Sequence, residues 1–183
     1  MRRTVSIAAW VVLLLSGALA QAQSQAQARW TYFGIPGSDF IVTMPGNPKP
    51  MSDKTDAKGV AAKVYLSELG EIGLAADYAF FPRGAIPDTV TAEQFIEHGL
   101  RNGVAKDLKI LSERKFKFAN AAAAEFVAEK SGAKPAILKV RMYARRDDGG
   151  NLRVYQCTVG GPPGSENNAD SLRFLDSFKF VPK

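Results

Sequence analysis

The chain has 183 residues, of which 46% are hydrophobic and 23% are charged, and its formal net charge is +6. This composition is typical of a globular protein and excludes a disordered chain, a collagen-like repeat or a coiled coil as the main structure. With one Cys and one His, the chain cannot form an intramolecular disulfide and lacks the ligands of a standard structural zinc site.

The first 20 residues have the pattern of a secretory signal peptide. Arg2 and Arg3 form a basic start, residues 5–15 are apolar apart from one Ser, and residues 18–20 supply a small-x-small cleavage pattern. The candidate cleavage positions follow Ala20, Ala22 and Ala28. An uncleaved membrane anchor is the alternative, but the apolar run is short for a membrane span. We therefore expect an exported protein, periplasmic or secreted, with no transmembrane span after cleavage.

Beyond the signal peptide, the sequence predicts one domain. Residues 21–28 are a Gln/Ala/Ser tract without apolar periodicity, which is typical of a flexible spacer. Residues 29–183 have the length of a single domain. The remaining positive charge is mild and spread along the chain, and it gives no reason to expect a nucleic-acid partner.

The first half of this domain reads as four strands and a helix. A strand is expected to begin within residues 29–33, and alternating apolar residues predict strands at residues 40–44, 60–66 and 72–80. Turns that contain Gly or Pro separate these strands. Thr91 and Gln94 have the spacing of a capping box, so a helix is expected to start at Ala92. The apolar half of this helix extends to Val104.

The second half reads as strands followed by a short helix and a last strand. Strands are predicted at residues 108–118, 122–130, 136–145 and 152–159, although the alanines at the start of the second favour helix intrinsically. Residues 147–151 predict a hairpin turn. Ser165 is expected to cap a short helix, and Phe178 and Phe180 alternate in the last strand. Hairpin-linked strands predict an α+β fold, with an antiparallel sheet flanked by helices.

Three short stretches carry a family resemblance: Phe40-x-Val42-x-Met44-Pro45-Gly46-x-Pro48, Tyr155-Gln156-x-x-Val159-Gly160-Gly161-Pro162 and Arg173-Phe174-Leu175-Asp176-Ser177-Phe178. Together with the strand order, they resemble small exported bacterial proteins of the Mog1/PsbP-like superfamily. The resemblance implies an α/β/α sandwich around an antiparallel sheet. It also implies a role as an accessory or interaction module, although many bacterial relatives have no assigned activity. It carries no functional residue over to this chain.

Three single residues are candidates for a special role. His98 falls on the polar side of the predicted helix, either as a solvated residue or as a catalytic base. Cys157 lies in a predicted strand, either as a small buried hydrophobe or as a reactive or intermolecular thiol. Asp77 interrupts an Ala-rich strand face between Ala75 and Ala79. It is either a solvent-facing or edge residue, or a buried carboxylate that needs hydrogen bonds or a cation.

The strand at residues 136–145 has the clearest alternation in the chain. One face carries three cations and a tyrosine: Lys139, Arg141, Tyr143 and Arg145. The other face carries apolar residues: Leu138, Val140, Met142 and Ala144. The basic face is either a binding patch for an acidic partner, an anionic surface or a small anion, or simply the solvated face of the sheet.

These patterns favour a non-catalytic exported binding or accessory module that acts on an envelope protein partner. The sequence contains no dinucleotide-binding, P-loop, zinc-protease, thiol-redox or nucleophile-elbow motif. An enzyme that uses Asp77, His98 or Cys157 without a recognisable motif is one alternative. Binding of anions or of the envelope surface through the basic strand face is another. No metal or other cofactor is expected.

Overall fold

The computed structural model describes residues 29–99, 108–132 and 134–182. The predicted signal peptide (residues 1–20) and spacer (residues 21–28) lie outside the described residues, as do residues 100–104 of the predicted first helix. None of the helices in the described part of the chain has the length and apolar character needed to cross a membrane.

The described residues form ten strands and two short α-helices. The strands are β1 (Trp30–Phe33), β2 (Phe40–Pro45), β3 (Lys49–Thr55), β4 (Ala61–Leu69), β5 (Ile72–Phe81), β6 (Lys109–Phe118), β7 (Ala121–Lys130), β8 (Ala136–Arg146), β9 (Leu152–Gly161) and β10 (Lys179–Phe180). The helices are α1 (Ala92–Gly99) and α2 (Ala169–Asp176), and a 3-10 turn occupies Ser165–Asn167.

The strands form two antiparallel sheets. The larger has seven strands in the order β3-β4-β5-β9-β8-β7-β6, and the smaller has three in the order β1-β2-β10. Every neighbouring pair of strands is antiparallel. The α+β class and the antiparallel sheet are therefore confirmed. The helix-flanked sandwich is confirmed only in part, because the fold is rich in sheet and part of one covering layer is itself a sheet.

One face of the large sheet packs against the small sheet and α2. This first core contains Phe40, Val42 and Met44 of β2 together with Phe174 and Leu175 of α2, all 2% exposed or less. The large sheet contributes inward side chains from its central strands: Leu74, Ala76, Tyr78, Tyr143, Tyr155, Cys157 and Val159. The side chains at the alternate positions of these strands point to the other face of the large sheet.

The second face of the large sheet packs against α1. Phe95 and Ile96 of α1 contact a core of small and medium side chains from β7, β8 and β9, which includes Phe126, Val140 and Met142. The alanines at the start of β7 alternate between the two cores, with Ala121 and Ala123 in the first and Ala122 and Ala124 in the second. Burial on both faces therefore outweighs the helix propensity of this alanine run.

Local signals fix several element boundaries. The capping box at α1 is confirmed, since the Thr91 N–H donates to Oε1 of Gln94 at 2.9 Å and the Gln94 N–H donates to Oγ1 of Thr91 at 3.1 Å. The cap of α2 is Asn168, whose Oδ1 accepts from the Asp170 N–H at 2.7 Å, and not Ser165, which lies in the 3-10 turn.

The sequence did not predict β3. This strand contains Pro50, which has no N–H for the ladder, and its pairing with β4 shifts register between Pro50 and Ser52. Such a strand is tolerated here because β3 lies at an edge of the large sheet.

Candidate functional site

Three basic side chains of β8, Lys139, Arg141 and Arg145, point to the face that the small sheet and α2 cover, and polar partners match them there. Lys139 is 9% exposed, and its Nζ donates to Oδ1 of Asn167 at 3.3 Å. Arg141 donates to Oε2 of Glu125 at 2.5 Å and to Oδ1 of Asp176 at 2.6 Å. Burial by itself would lower the pKa of Arg141, but these two carboxylates outweigh it and raise that pKa. Arg141 is therefore held as a paired cation between β7 and α2.

Tyr143 is a core aromatic residue. Its ring stacks on Phe178 with a centroid separation of 4.0 Å and an interplanar angle of 7°, and the residue is 2% exposed. Burial raises the pKa of its hydroxyl well above the ordinary value. Tyr143 therefore contributes packing on the face where the sequence suggested an exposed aromatic group.

Arg145 belongs to a buried polar network centred on Asp39. Its Nη2 donates to Oδ2 of Asp39 at 2.6 Å, and the Tyr155 hydroxyl donates to Oδ1 of the same carboxylate at 2.6 Å. Burial opposes ionisation of Asp39, but these hydrogen bonds outweigh it, so the pKa of Asp39 is lowered. Arg153 completes the network, with Nη1 at 3.7 Å from Asp39 and Nε donating to Asp147 at 3.0 Å.

This network ties the start of β2 to the hairpin between β8 and β9. Asp39 is 8% exposed and was not singled out from the sequence. An acidic residue at the start of a strand gives no signal of its own, since its two arginine partners lie more than 100 residues away along the chain.

The structure therefore differs from the expectation of an exposed strand face formed by Lys139, Arg141, Tyr143 and Arg145. The alternation along β8 does separate its two faces, but both faces are covered, one by α1 and the other by the small sheet and α2. Alternation distinguishes the two faces of a strand but does not show which of them is covered.

The three other candidate residues do not converge. Asp77 pairs in register with Gln156, and both side chains lie on the face of the large sheet that packs against α1. Cys157 pairs with Ala76 and points into the first core on the opposite face, where it is fully buried. His98 lies at the end of α1 and is exposed.

Burial changes the acidity of two of these residues. It raises the pKa of Asp77 from 3.8 to about 7, although a hydrogen bond of 2.9 Å from Nε2 of Gln156 opposes the change. Burial also raises the pKa of the Cys157 thiol, and the charge of Asp77 adds to this. Cys157 is thus held as a neutral thiol, which is a poor nucleophile. Within the described residues, no group of three or more His, Cys, Asp or Glu side chains could hold a metal ion.

An exposed aromatic and cationic surface lies beside β1. It is an open depression of about 460 Å³, which we call the Trp30 platform, and it is lined by Arg29, Trp30, Thr31, Tyr32, Thr43 and Arg173. The Arg173 guanidinium lies 4.6 Å from the centre of the Trp30 ring. Tyr32 is 73% exposed, the highest value among the large hydrophobic residues described.

The Trp30 platform carries cations without acidic partners. Neither Arg29 nor Arg173 forms an ion pair within the described part of the chain, whereas Arg141, Arg145 and Arg153 each do. Arg173 is exposed on α2 and Arg29 is exposed at the start of β1. Sequence reasoning missed this surface because Trp30 and Arg173 are far apart along the chain, and Arg173 lies in a stretch that was interpreted as a fold signature.

No family model matches the chain, and no curated protein matches it in sequence. Solved structures do share its fold. LpqN of Mycobacterium tuberculosis, described as involved in cell envelope biogenesis, superposes with a TM-score of 0.50 at 12% identity, over 85% of this chain and 92% of LpqN.

Two further structures are similar. Cyanobacterial PsbP from Synechocystis sp. PCC 6803 gives a TM-score of 0.49 at 9% identity, over 91% of this chain and 99% of PsbP. A Pseudomonas aeruginosa protein of unknown function, described as a putative regulator, gives 0.45 at 10% identity, over 84% of this chain and 97% of that protein. At such identities the likeness concerns the fold alone. The chain has a Mog1/PsbP-like fold, as its sequence resemblance predicted.

Proposed function

We propose that this protein is an exported, non-catalytic binding module of the cell envelope that contacts a protein partner through the Trp30 platform. The observation that carries the proposal is the exposed Tyr32 beside the half-buried Trp30 ring and two exposed arginines without acidic partners. Tryptophan, tyrosine and arginine are the residue types that dominate binding energy at protein interfaces. The pattern of residues 1–20 supports export.

The shape of the Trp30 platform favours a macromolecular partner over an enclosed small ligand. Small-molecule sites are concave and bury most of the ligand surface. The platform is open to solvent along β1, where Thr31 and Tyr32 are both exposed. An exposed tyrosine offers a large, rigid contact area that loses little conformational entropy on binding.

The fold comparison supports the cell-envelope part of the proposal. LpqN, which has the same fold, is described as involved in cell envelope biogenesis. A binding role is also compatible with the separation of Asp77, Cys157 and His98, since catalysis would require such groups to meet around one reacting atom.

Site-specific photo-crosslinking tests the proposal. A photoreactive amino acid replaces Tyr32 in the protein expressed in its own host, and crosslinked species are identified from the envelope fraction. Met51, a 52% exposed hydrophobic residue on β3, supplies a matched control position on the other sheet. We expect one reproducible envelope protein at position 32, absent at position 51 and reduced by Arg173→Glu. No adduct at position 32, or the same adducts at both positions, would contradict the proposal.

A further inference from the structure

β1 has a free edge. It pairs with β2 on one side, and no other strand of the described residues pairs with it. The backbone N–H and C=O groups along the free edge of a strand are a template for an additional strand from another chain.

The two edge strands of the large sheet have features that block pairing with another strand, whereas β1 does not. β3 contains Pro50 and a register shift, and β6 carries a row of charged side chains and a register shift between Ile110 and Ser112. Prolines, charges and bulges are the features by which proteins block pairing at sheet edges. β1 reads Trp-Thr-Tyr-Phe, with no charge, no proline and a high β propensity throughout. It is thus an edge without these protections.

The charge beside this free edge is positive. Successive side chains of a strand point to opposite faces of its sheet, so every second side chain of an added strand would lie on the same face as Trp30 and Tyr32. The Arg173 guanidinium lies over the Trp30 ring, and Arg29 directly precedes β1. Carboxylates at alternating positions are the groups that two arginines without acidic partners would select.

We propose that the free edge of β1 binds an extended acidic segment of the partner protein as a fourth strand of the small sheet. Backbone hydrogen bonds to β1 hold this segment, and its carboxylates pair with Arg29 and Arg173. Its remaining contacts on that face are to the rings of Trp30 and Tyr32. This inference rests on the proposed function, to which it adds the chemistry of the partner and the manner of binding.

Fluorescence anisotropy with a defined probe tests the inference. The probe is a labelled synthetic peptide in which glutamate alternates with valine and threonine, and it is titrated with the purified exported protein. A control peptide replaces glutamate by lysine. Two further peptides are N-methylated, one on the odd and one on the even backbone amides, because alternate amides of a strand point to opposite sides. We expect saturable binding of the glutamate peptide, none of the lysine peptide, and loss with only one of the two methylated peptides.

Charge variants of the protein locate the contact. Arg173→Glu should weaken binding of the glutamate peptide at least about fivefold, as expected for replacing an attractive partly exposed pair by a repulsive one. Lys179→Glu, an exposed charge change on β10 at the other edge of the same sheet, should change it less than about twofold. Arg173→Gln, which removes the charge without reversing it, should give an intermediate loss. Equal thermal midpoints of the variants show that folding is unaffected.

Several outcomes would overturn the inference. These are no binding of the glutamate peptide, equal binding of both methylated peptides, or equal effects of Arg173→Glu and Lys179→Glu. The inference would also be overturned if the protein did not bind the glutamate peptide but co-sedimented with vesicles of anionic phospholipid. That result would favour a lipid surface as the binding partner. A specific adduct at Tyr32 without peptide binding would leave the proposed function standing and remove only the strand pairing. Failure of both experiments would remove both.

Discussion

The carboxyl group of Asp77 should make the protein less stable as pH rises, and Asp77→Asn tests this. Burial raises the pKa of Asp77 from 3.8 to about 7 in the folded protein. Between about pH 4 and 7, the folded protein therefore keeps a proton at Asp77 that the unfolded chain has released. Because the unfolded state then binds fewer protons, the free energy of unfolding declines with pH over this interval and levels off above it.

The size of this decline follows from the pKa change. One pKa unit corresponds to about 1.4 kcal/mol, so the full change would be about 4 kcal/mol. Asp77 as a whole is only half-buried, and screening by solvent lowers the expected decline to about 2 kcal/mol. The side-chain amide introduced by Asp77→Asn does not ionise but still offers an oxygen to Nε2 of Gln156, so the variant should escape this decline.

Urea unfolding of both proteins at about pH 4.5 and pH 8 measures the effect. Asp77→Asn should gain about 2 kcal/mol over the wild type between the two pH values. Asp148→Asn, at an exposed position in the turn between β8 and β9, is the matched control and should show no such gain. A stability difference between Asp77→Asn and wild type that is the same at both pH values would refute the reasoning. A gain by the wild type relative to Asp77→Asn on raising pH would mean that the ionised carboxylate of Asp77 is stabilised by a cation.

Three further predictions concern the core and α2. Asp39→Ala should lower the free energy of unfolding at neutral pH by about 3 kcal/mol in urea titrations, because Arg145 and Arg153 lose their shared buried partner. Folding lowers the pKa of Asp39 below its ordinary value of 3.8, so this contribution is fully present above pH 3.8 and is lost as pH falls toward the pKa of the folded state. An unchanged urea midpoint of Asp39→Ala would contradict the prediction. Asn168→Ala should cost about 1 kcal/mol by removing the cap of α2, and Asn168→Asp, which keeps an acceptor, should cost much less. The Cys157 thiol should react with a thiol reagent only in denaturant, and rapid labelling of the folded protein would show that this strand is accessible.

The strand pattern of the fold could be predicted from the sequence wherever one residue in two is apolar. This holds for β2, whose buried positions follow that alternation. It also holds for β5 and β8 as strands, although residues on both of their faces are buried. It fails for β3, whose seven residues are nearly all exposed, so that no apolar period exists to detect. The boundaries of β3 are set instead by pairing with β4, which is a tertiary interaction that a single sequence does not display.

The candidate sites show a different limit of prediction from a single sequence. Alternation separated the two faces of β8 correctly, but the covering layer for the basic face comes from β2, β10 and α2, which lie far from β8 along the chain. The sequence therefore could not show that the charges of Arg141 and Arg145 are matched by Glu125 and Asp39. Likewise, the Trp30 platform joins β1 to Arg173 of α2, and neither segment predicts the other.

The distribution of acidic partners among the arginines then separates structural cations from candidate binding cations. Arg114, Arg141, Arg145, Arg146 and Arg153 each form an ion pair with a carboxylate of the fold. Within the described residues, Arg29, Arg83 and Arg173 form none. Burying a guanidinium without a partner is costly, so arginines that point inward must be paired, whereas exposed ones need not be. Two of the three arginines without an ion pair flank the same strand, beside the most exposed large hydrophobic residue described. Solubility alone would not require cations to cluster around an exposed tyrosine, and recognition of an acidic partner would.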